Sequence, residues 1–262
     1  VNVIPITSKI EDNFALPSIH EFEKKINSKT KAILLCNPCN PTGYVYSQEE
    51  IINIANLAKK NDLFIVVDEV YREFIYTDTK HFSILEDEKF SENAILIDST
   101  SKRYSLCGAR VGFIVSKNSE FIETCLKFAL TRLSPPTLAL IAANHALNSR
   151  EDYIENVIKE YYKRREVIIN ELSQINNIKF SNPMGAFYSI IKLPIENAED
   201  FAKFLLTDFS YKNQSVMLSP ASGFYSSENY GKDEVRIAFV LNSEKLKNAI
   251  KIIKLGLKEF IG

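Results

Sequence analysis

With 262 residues, 45% of them apolar and 25% charged, the chain has room for one large domain or two smaller ones and the balance of a soluble globular protein. A net charge of −1 gives no reason to expect nucleic acid or an anionic membrane as partner. No apolar run approaches the roughly 18–20 residues that cross a bilayer, and residues 1–5 lack the basic stretch of an export signal, so a cytoplasmic setting is expected.

The opening starts in mid-pattern with no initiator methionine, as expected of a chain whose N-terminal part lies upstream. Residues 1–6 read as a strand. Ser18 and Glu21 form a capping box for a short helix to about residue 27. Residues 32–36 are a compact apolar strand, ended by Asn37-Pro38-Cys39-Asn40-Pro41-Thr42-Gly43. A second capping box, Ser47 to Glu50, opens a helix whose apolar positions are Ile51, Ile54, Ala55 and Ala58. Residues 63–67 and 94–97 are buried-strand runs, and residues 111–115 resume a strand. From Glu120 the pattern is helical, broken at Pro135-Pro136 and resumed over 137–148. A long charged helix covers 151–172. Beyond it come strands at 186–192, 215–218 and 235–240, a helix over about 198–209 and a last helix from near Ser243. Alternating strands and helices predict an α/β domain over 1–148 with a mostly parallel sheet flanked by helices. A smaller α+β domain over 149–262 begins with the long connecting helix.

Three apolar strands of the first half each end in a polar cluster, and ligands of open parallel sheets sit beyond the carboxyl ends of the strands. In the third cluster Lys102 lies among Ser99, Ser101 and Gly108, with Arg110 eight positions on. A lysine becomes a Schiff-base nucleophile when its surroundings lower its proton affinity. Two hydroxyls and a guanidinium beside it can hold a phosphate; the plain alternative is a solvated lysine. Asp68 ends a strand too apolar for the surface and calls for a cation, such as a protonated pyridine nitrogen. Tyr71, three residues on, can reach a ring oxygen; a capped turn with a packed tyrosine is the alternative. Asn40 stands in a rigid Asn-Pro turn. Arg236, inside an apolar strand, suits a substrate carboxylate or the solvated edge of a sheet. Arg132 is a weaker second carboxylate candidate, equally explained as a helix-end charge. Cys36 and Cys39 have CxxC spacing with no second pair or histidine cluster, so Cys36, Cys39, Cys107 and Cys125 are expected to be reduced thiols with no metal.

In order, Asn37-Pro38-x-Asn40-Pro41-Thr42-Gly43, Asp68-x-x-Tyr71, Ser99-x-Ser101-Lys102 with Gly108-x-Arg110-x-Gly112, Pro183-Met184-Gly185-Ala186-Phe187-Tyr188 and Val235-Arg236-Ile237 resemble the motifs of the fold-type I pyridoxal-phosphate aminotransferases, the aspartate aminotransferase superfamily. The resemblance implies pyridoxal 5'-phosphate as cofactor, joined to Lys102, which then moves the substrate Cα proton. It implies Asp68 on the pyridinium nitrogen, Tyr71 and Asn40 on the ring oxygen, and Ser99, Ser101 and Arg110 on the phosphate. Arg236, with Asn40, would take the substrate carboxylate. The implied activity is transamination between an amino acid, acidic or aromatic favoured, and a 2-oxo acid, in a homodimer. A carbon–sulfur β-lyase would share the lysine and aspartate, and an inactive or ligand-sensing use of the fold is the non-enzymatic alternative. The family's N-terminal portion, with its phosphate-binding loop and ring-stacking aromatic, has no counterpart in the residues given, so the expectation is a C-terminal part of the large domain followed by a small domain.

Overall fold

The computed structural model describes residues 1–148, 151–227 and 230–262. The expected boundary between 148 and 149 falls at residues outside the described set. The chain divides into two compact units: Leu16–Cys39 with Val45–Ile158, and Val1–Ala15 with Asn40–Tyr44 and Lys159–Gly262.

The first of these contains, in chain order, α1 (Ile19–Glu23), β1 (Ala32–Cys36), α2 (Gln48–Lys60), β2 (Phe64–Asp68), β3 (Ala94–Ser99), α3 (Thr100–Arg103), β4 (Gly112–Val115), α4 (Ser119–Thr131) and α5 (Thr137–Leu147). Its sheet runs β1-β2-β3-β4. The first three strands are parallel and β4 returns antiparallel to β3. The parallel strands read as near-continuous apolar runs because helices must cross over their faces. α2 starts where Ser47 and Glu50 bond reciprocally: the Ser47 hydroxyl accepts the Glu50 amide at 3.2 Å and the Glu50 carboxylate accepts the Ser47 amide at 2.7 Å. Its Ile51, Ile54, Ala55 and Ala58 are all fully buried, and α2 packs against β2. Each isoleucine so buried contributes roughly 1.5–3 kcal/mol. By contrast, α4 has no buried residue, and α5 has only Ala143.

The second unit holds the larger part of α6 (Glu151–Leu172), then β5 (Lys179–Phe180), β6 (Tyr188–Lys192), α7 (Ala198–Thr207), β7 (Ser219–Pro220), β8 (Glu234–Ala238) and α8 (Ser243–Ile261). Its sheet is antiparallel throughout, in the order β5-β6-β8-β7. Leu172, Ile191, Phe201, Leu205, Val235, Ile253 and neighbouring apolar residues form its core. Val1–Ala15 belongs here because Ile10 and Phe14 bury themselves with Ile190 and Ala221. Asn13 adds a side-chain bond to Asn182, whose main-chain amide donates to Asn13 Oδ1 at 2.7 Å.

Three expected elements differ. Residues 1–6 form no strand, and Val1, Val3 and Ile4 are exposed; apolar composition without a neighbouring strand to pair does not make one. Ser18 makes no side-chain capping bond: the Glu21 amide donates to the Ser18 main-chain carbonyl at 2.9 Å, the Glu21 carboxylate binds Lys24 at 2.6 Å, and the helix stops at Glu23. The strand expected over 215–218 lies at Ser219–Pro220, on the edge of the sheet, where a proline's missing N–H costs no ladder bond.

Candidate active site

Strand alternation sorts the polar ends of β2 and β3 onto two faces. Asp68 is registered with Ile97, and Ile97 shares its face with Ser99, so Asp68 and Ser99 project to one side and Asp98 to the other. On the first side, Asp68 is half-buried and its carboxylate accepts the Val70 amide at 3.1 Å. Burial raises its carboxyl above the usual aspartate range; the Val70 bond opposes that, the charges of Asp98 and Glu69 add to it, and Lys102 pulls it back. No ion pair satisfies Asp68 among the described residues. Tyr71 is buried, and Lys102 Nζ stands 5.7 Å from the centre of its ring. The structure thus gathers Asp68, Tyr71 and Lys102 at the carboxyl ends of β2 and β3.

Ser99 caps α3, its hydroxyl accepting the Ser101 amide at 3.1 Å and donating to the Val111 carbonyl at 2.9 Å. The Ser101 hydroxyl lies 2.8 Å from that of Ser99. Arg110 is exposed and left-handed (φ 57°), with Nη1 donating to the Cys107 carbonyl at 2.9 Å. The serines are therefore together, while Arg110 is turned to its own loop. This donor set fits a phosphate in charge and chemistry, and the Asp68 carboxylate, raised by burial and lacking a cation, fits a pyridinium nitrogen.

On the opposite side is a cluster the sequence reasoning missed. Arg103 Nη2 meets Asp98 at 2.8 Å and Arg103 Nε meets Glu73 at 2.6 Å. Arg72 reaches the same Glu73 oxygen at 3.1 Å and Asp98 at 3.5 Å. Burial alone would lower the Arg103 guanidinium, but Glu73 and Asp98 outweigh it and hold it above its usual range. The available signal was Asp98 directly after a buried apolar run, where an uncompensated charge is costly.

In the second unit, Arg236 on β8 is held between two rings, its guanidinium carbon 4.8 Å from the centre of Tyr188 and 4.7 Å from that of Phe224. Its Nη1 donates to Asn40 Oδ1 at 3.0 Å, and its buried Nε has no hydrogen-bond partner among the described residues. Asn40 is brought there by Gly43, whose carbonyl accepts the amides of Met184 and Gly185 at 2.8 and 2.9 Å. Gly43 has φ +75°, and a Cβ on it would fall 2.5 Å from that of Pro183, so only glycine serves. Tyr188 and Phe224 were not singled out as arginine partners from the sequence. Arg132 is the exposed C-cap of α4.

The family model for class I and II aminotransferases matches residues 2–253. The aspartate aminotransferase of Pyrococcus abyssi is 32% identical over 254 residues, covering 95% of this chain and 62% of that protein. Aromatic-amino-acid aminotransferase 2 of Thermococcus litoralis is 30% identical over 95% of this chain and 62% of its own length. The crystal structure of an aromatic aminotransferase from Pyrococcus horikoshii superposes with a TM-score of 0.86 at 30% identity, covering 97% of this chain and 66% of that one. The chain thus spans about 62% of the length of the first of these relatives. The model match over nearly all of its residues, together with the placement of the lysine, aspartate and tyrosine motifs at strand ends, shows that this chain belongs to the class I and II aminotransferase family.

Proposed function

We propose that this protein moves an amino group between an amino acid and a 2-oxo acid with pyridoxal 5'-phosphate as cofactor. The observation that carries the reading is the grouping of Lys102, Tyr71 and an Asp68 carboxylate in want of a cation. When bound, pyridoxal phosphate supplies an aldehyde for an amine and a protonated ring that draws electrons from the substrate Cα. Asp68 would hold the proton on the ring nitrogen, and by the motif resemblance Tyr71 and Asn40 would donate to the ring oxygen. Ser99, Ser101 and Arg110 would bind the phosphate through charge-assisted hydrogen bonds. Lys102 Nζ would be the covalent anchor and the base that takes and returns the Cα proton. Arg236, its plane fixed by two rings, presents its fork to the substrate carboxylate.

An acidic or aromatic amino donor and a homodimeric assembly belong to the same proposal, supported by the names of the relatives and by the motif resemblance. The test is an absorbance scan with added pyridoxal phosphate, then borohydride reduction and peptide mass analysis. A visible band and a reduced adduct on Lys102 are expected. A colourless protein, or an adduct spread over surface lysines, overturns the reading.

A further inference from the structure

Glu69 directly follows Asp68, and in the D-x-x-Y pattern it occupies a position open to any residue. Its side chain is nevertheless completely shielded, 0% exposed. A carboxylate withdrawn from water persists where donors replace the water. Three do so here. His81 Nε2 lies 2.8 Å from Oε2, while the Ser83 hydroxyl and the Ile84 amide donate to Oε1 at 3.0 and 3.1 Å. The main chain of Glu69 is gripped as well: its N–H donates to the Ile97 carbonyl at 2.9 Å and its carbonyl accepts the Arg72 amide at 3.0 Å. The imidazole of His81 is itself largely enclosed, and its buried Nδ1 has no hydrogen-bond partner among the described residues. Nε2 is therefore the nitrogen that works on the turn.

We infer that Glu69 and His81 are positioning residues: the imidazole, with Ser83 and Ile84, fixes the Glu69 carboxylate and so sets the turn that carries Asp68 and Tyr71. Successive side chains point to opposite faces at the end of β2, so Glu69 anchors the turn from behind while Asp68 faces the site. The inference rests on the roles proposed above for Asp68 and Tyr71. Displacement of such groups by about 1 Å costs roughly a hundredfold in rate, which is the physical reason to brace them.

Two measurements on the full chain test it, with His81→Ala as the disruptive variant and His81→Gln as the conservative one, since the glutamine Nε2 amide can replace the imidazole N–H. The first is amide hydrogen exchange with no cofactor added. In His81→Ala the Val70 and Arg72 amides should exchange about tenfold faster or more while those of α2 do not change, and His81→Gln should restore protection. The second uses protein loaded with pyridoxal phosphate: kcat should fall about tenfold or more in His81→Ala with KM within about twofold, and recover in His81→Gln. Turn amides as protected in His81→Ala as in the unsubstituted protein overturn the inference. So does a lowered Tm with unchanged kcat. If the unsubstituted chain takes up no pyridoxal phosphate, the reading of Lys102 fails, and the exchange measurement alone decides whether His81 holds the turn.

Discussion

Arg103 is buried and Arg236 half-buried, and the two arginines keep very different company. Arg103 is enclosed by Asp98 and Glu73, and Arg72 completes a cluster of two cations and two anions. Arg236 has two aromatic rings against its guanidinium, one amide oxygen on Nη1 and, among the described residues, no carboxylate. The first charge is cancelled inside the fold and is used up in holding it. The second is held in place without being neutralised, and is available to a carboxylate from outside. The same contrast separates Asp98, answered by arginines, from Asp68, whose carboxyl is raised by burial and neighbouring acids. A charge already matched can serve the fold; one that is placed and left unmatched is what the proposed function assigns to a ligand.

Substitutions can break this contrast. The largest effect is expected at Lys102: Lys102→Arg should lower transamination by about a thousandfold or more, because the variant can neither anchor the cofactor nor shuttle the proton. It should also lose the borohydride-stable adduct while keeping its Tm. Asp98→Asn should do the reverse, costing stability first. Removing one partner of a buried ion pair costs about 3–5 kcal/mol, read as a lowered urea midpoint. If Asp98→Asn proves as stable as the unsubstituted protein, the matched cluster is not structural. Arg236→Leu should raise KM for the amino acid about ten- to a hundredfold, the worth of a charge-assisted pair, with little change in the urea midpoint. Arg236→Lys should recover only part of that loss, since the planar fork is gone.

The smallest and sharpest test concerns the sign at Asp68. A carboxyl whose folded pKa is raised gives full stability below its unfolded value and loses it as pH rises through the folded one. Asp68→Asn cannot ionise, so without cofactor it should be the more stable protein at neutral pH. That advantage should vanish below the ordinary aspartate value of 3.8. A variant less stable than the unsubstituted protein at neutral pH would mean Asp68 is already paired. Activity and stability should move oppositely here, as they do at strained functional positions.

The central strands were legible because β1, β2 and β3 are apolar runs that a covered parallel sheet requires. The Ser47 box was legible because both its partners are local; at Ser18 the same spacing gives no box, since the Glu21 amide bonds the Ser18 main-chain carbonyl and the Glu21 carboxylate binds Lys24. The placement of Lys102, Asp68 and Tyr71 was legible because each follows an apolar run that reads as a strand. The contact between Asn40 and Arg236 joins residues 196 apart in sequence, and no local pattern encodes such a partner. Arg103 was hidden for a related reason: beside a lysine it reads as one more surface cation until Asp98 and Glu73 are seen against it.

The interleaving of the two compact units has a consequence for biosynthesis. Ile10 and Phe14 find their burial with Ile190 and Ala221, and Gly43 meets Pro183, Met184 and Gly185. On a ribosome Ile10 and Phe14 meet these partners only once residues 190 and 221 have emerged, whereas the neighbours of β1, β2 and β3 arrive in quick succession. The strands can therefore condense during translation while the second unit closes late, and that interval is when chaperone capture or aggregation would act on the nascent polypeptide.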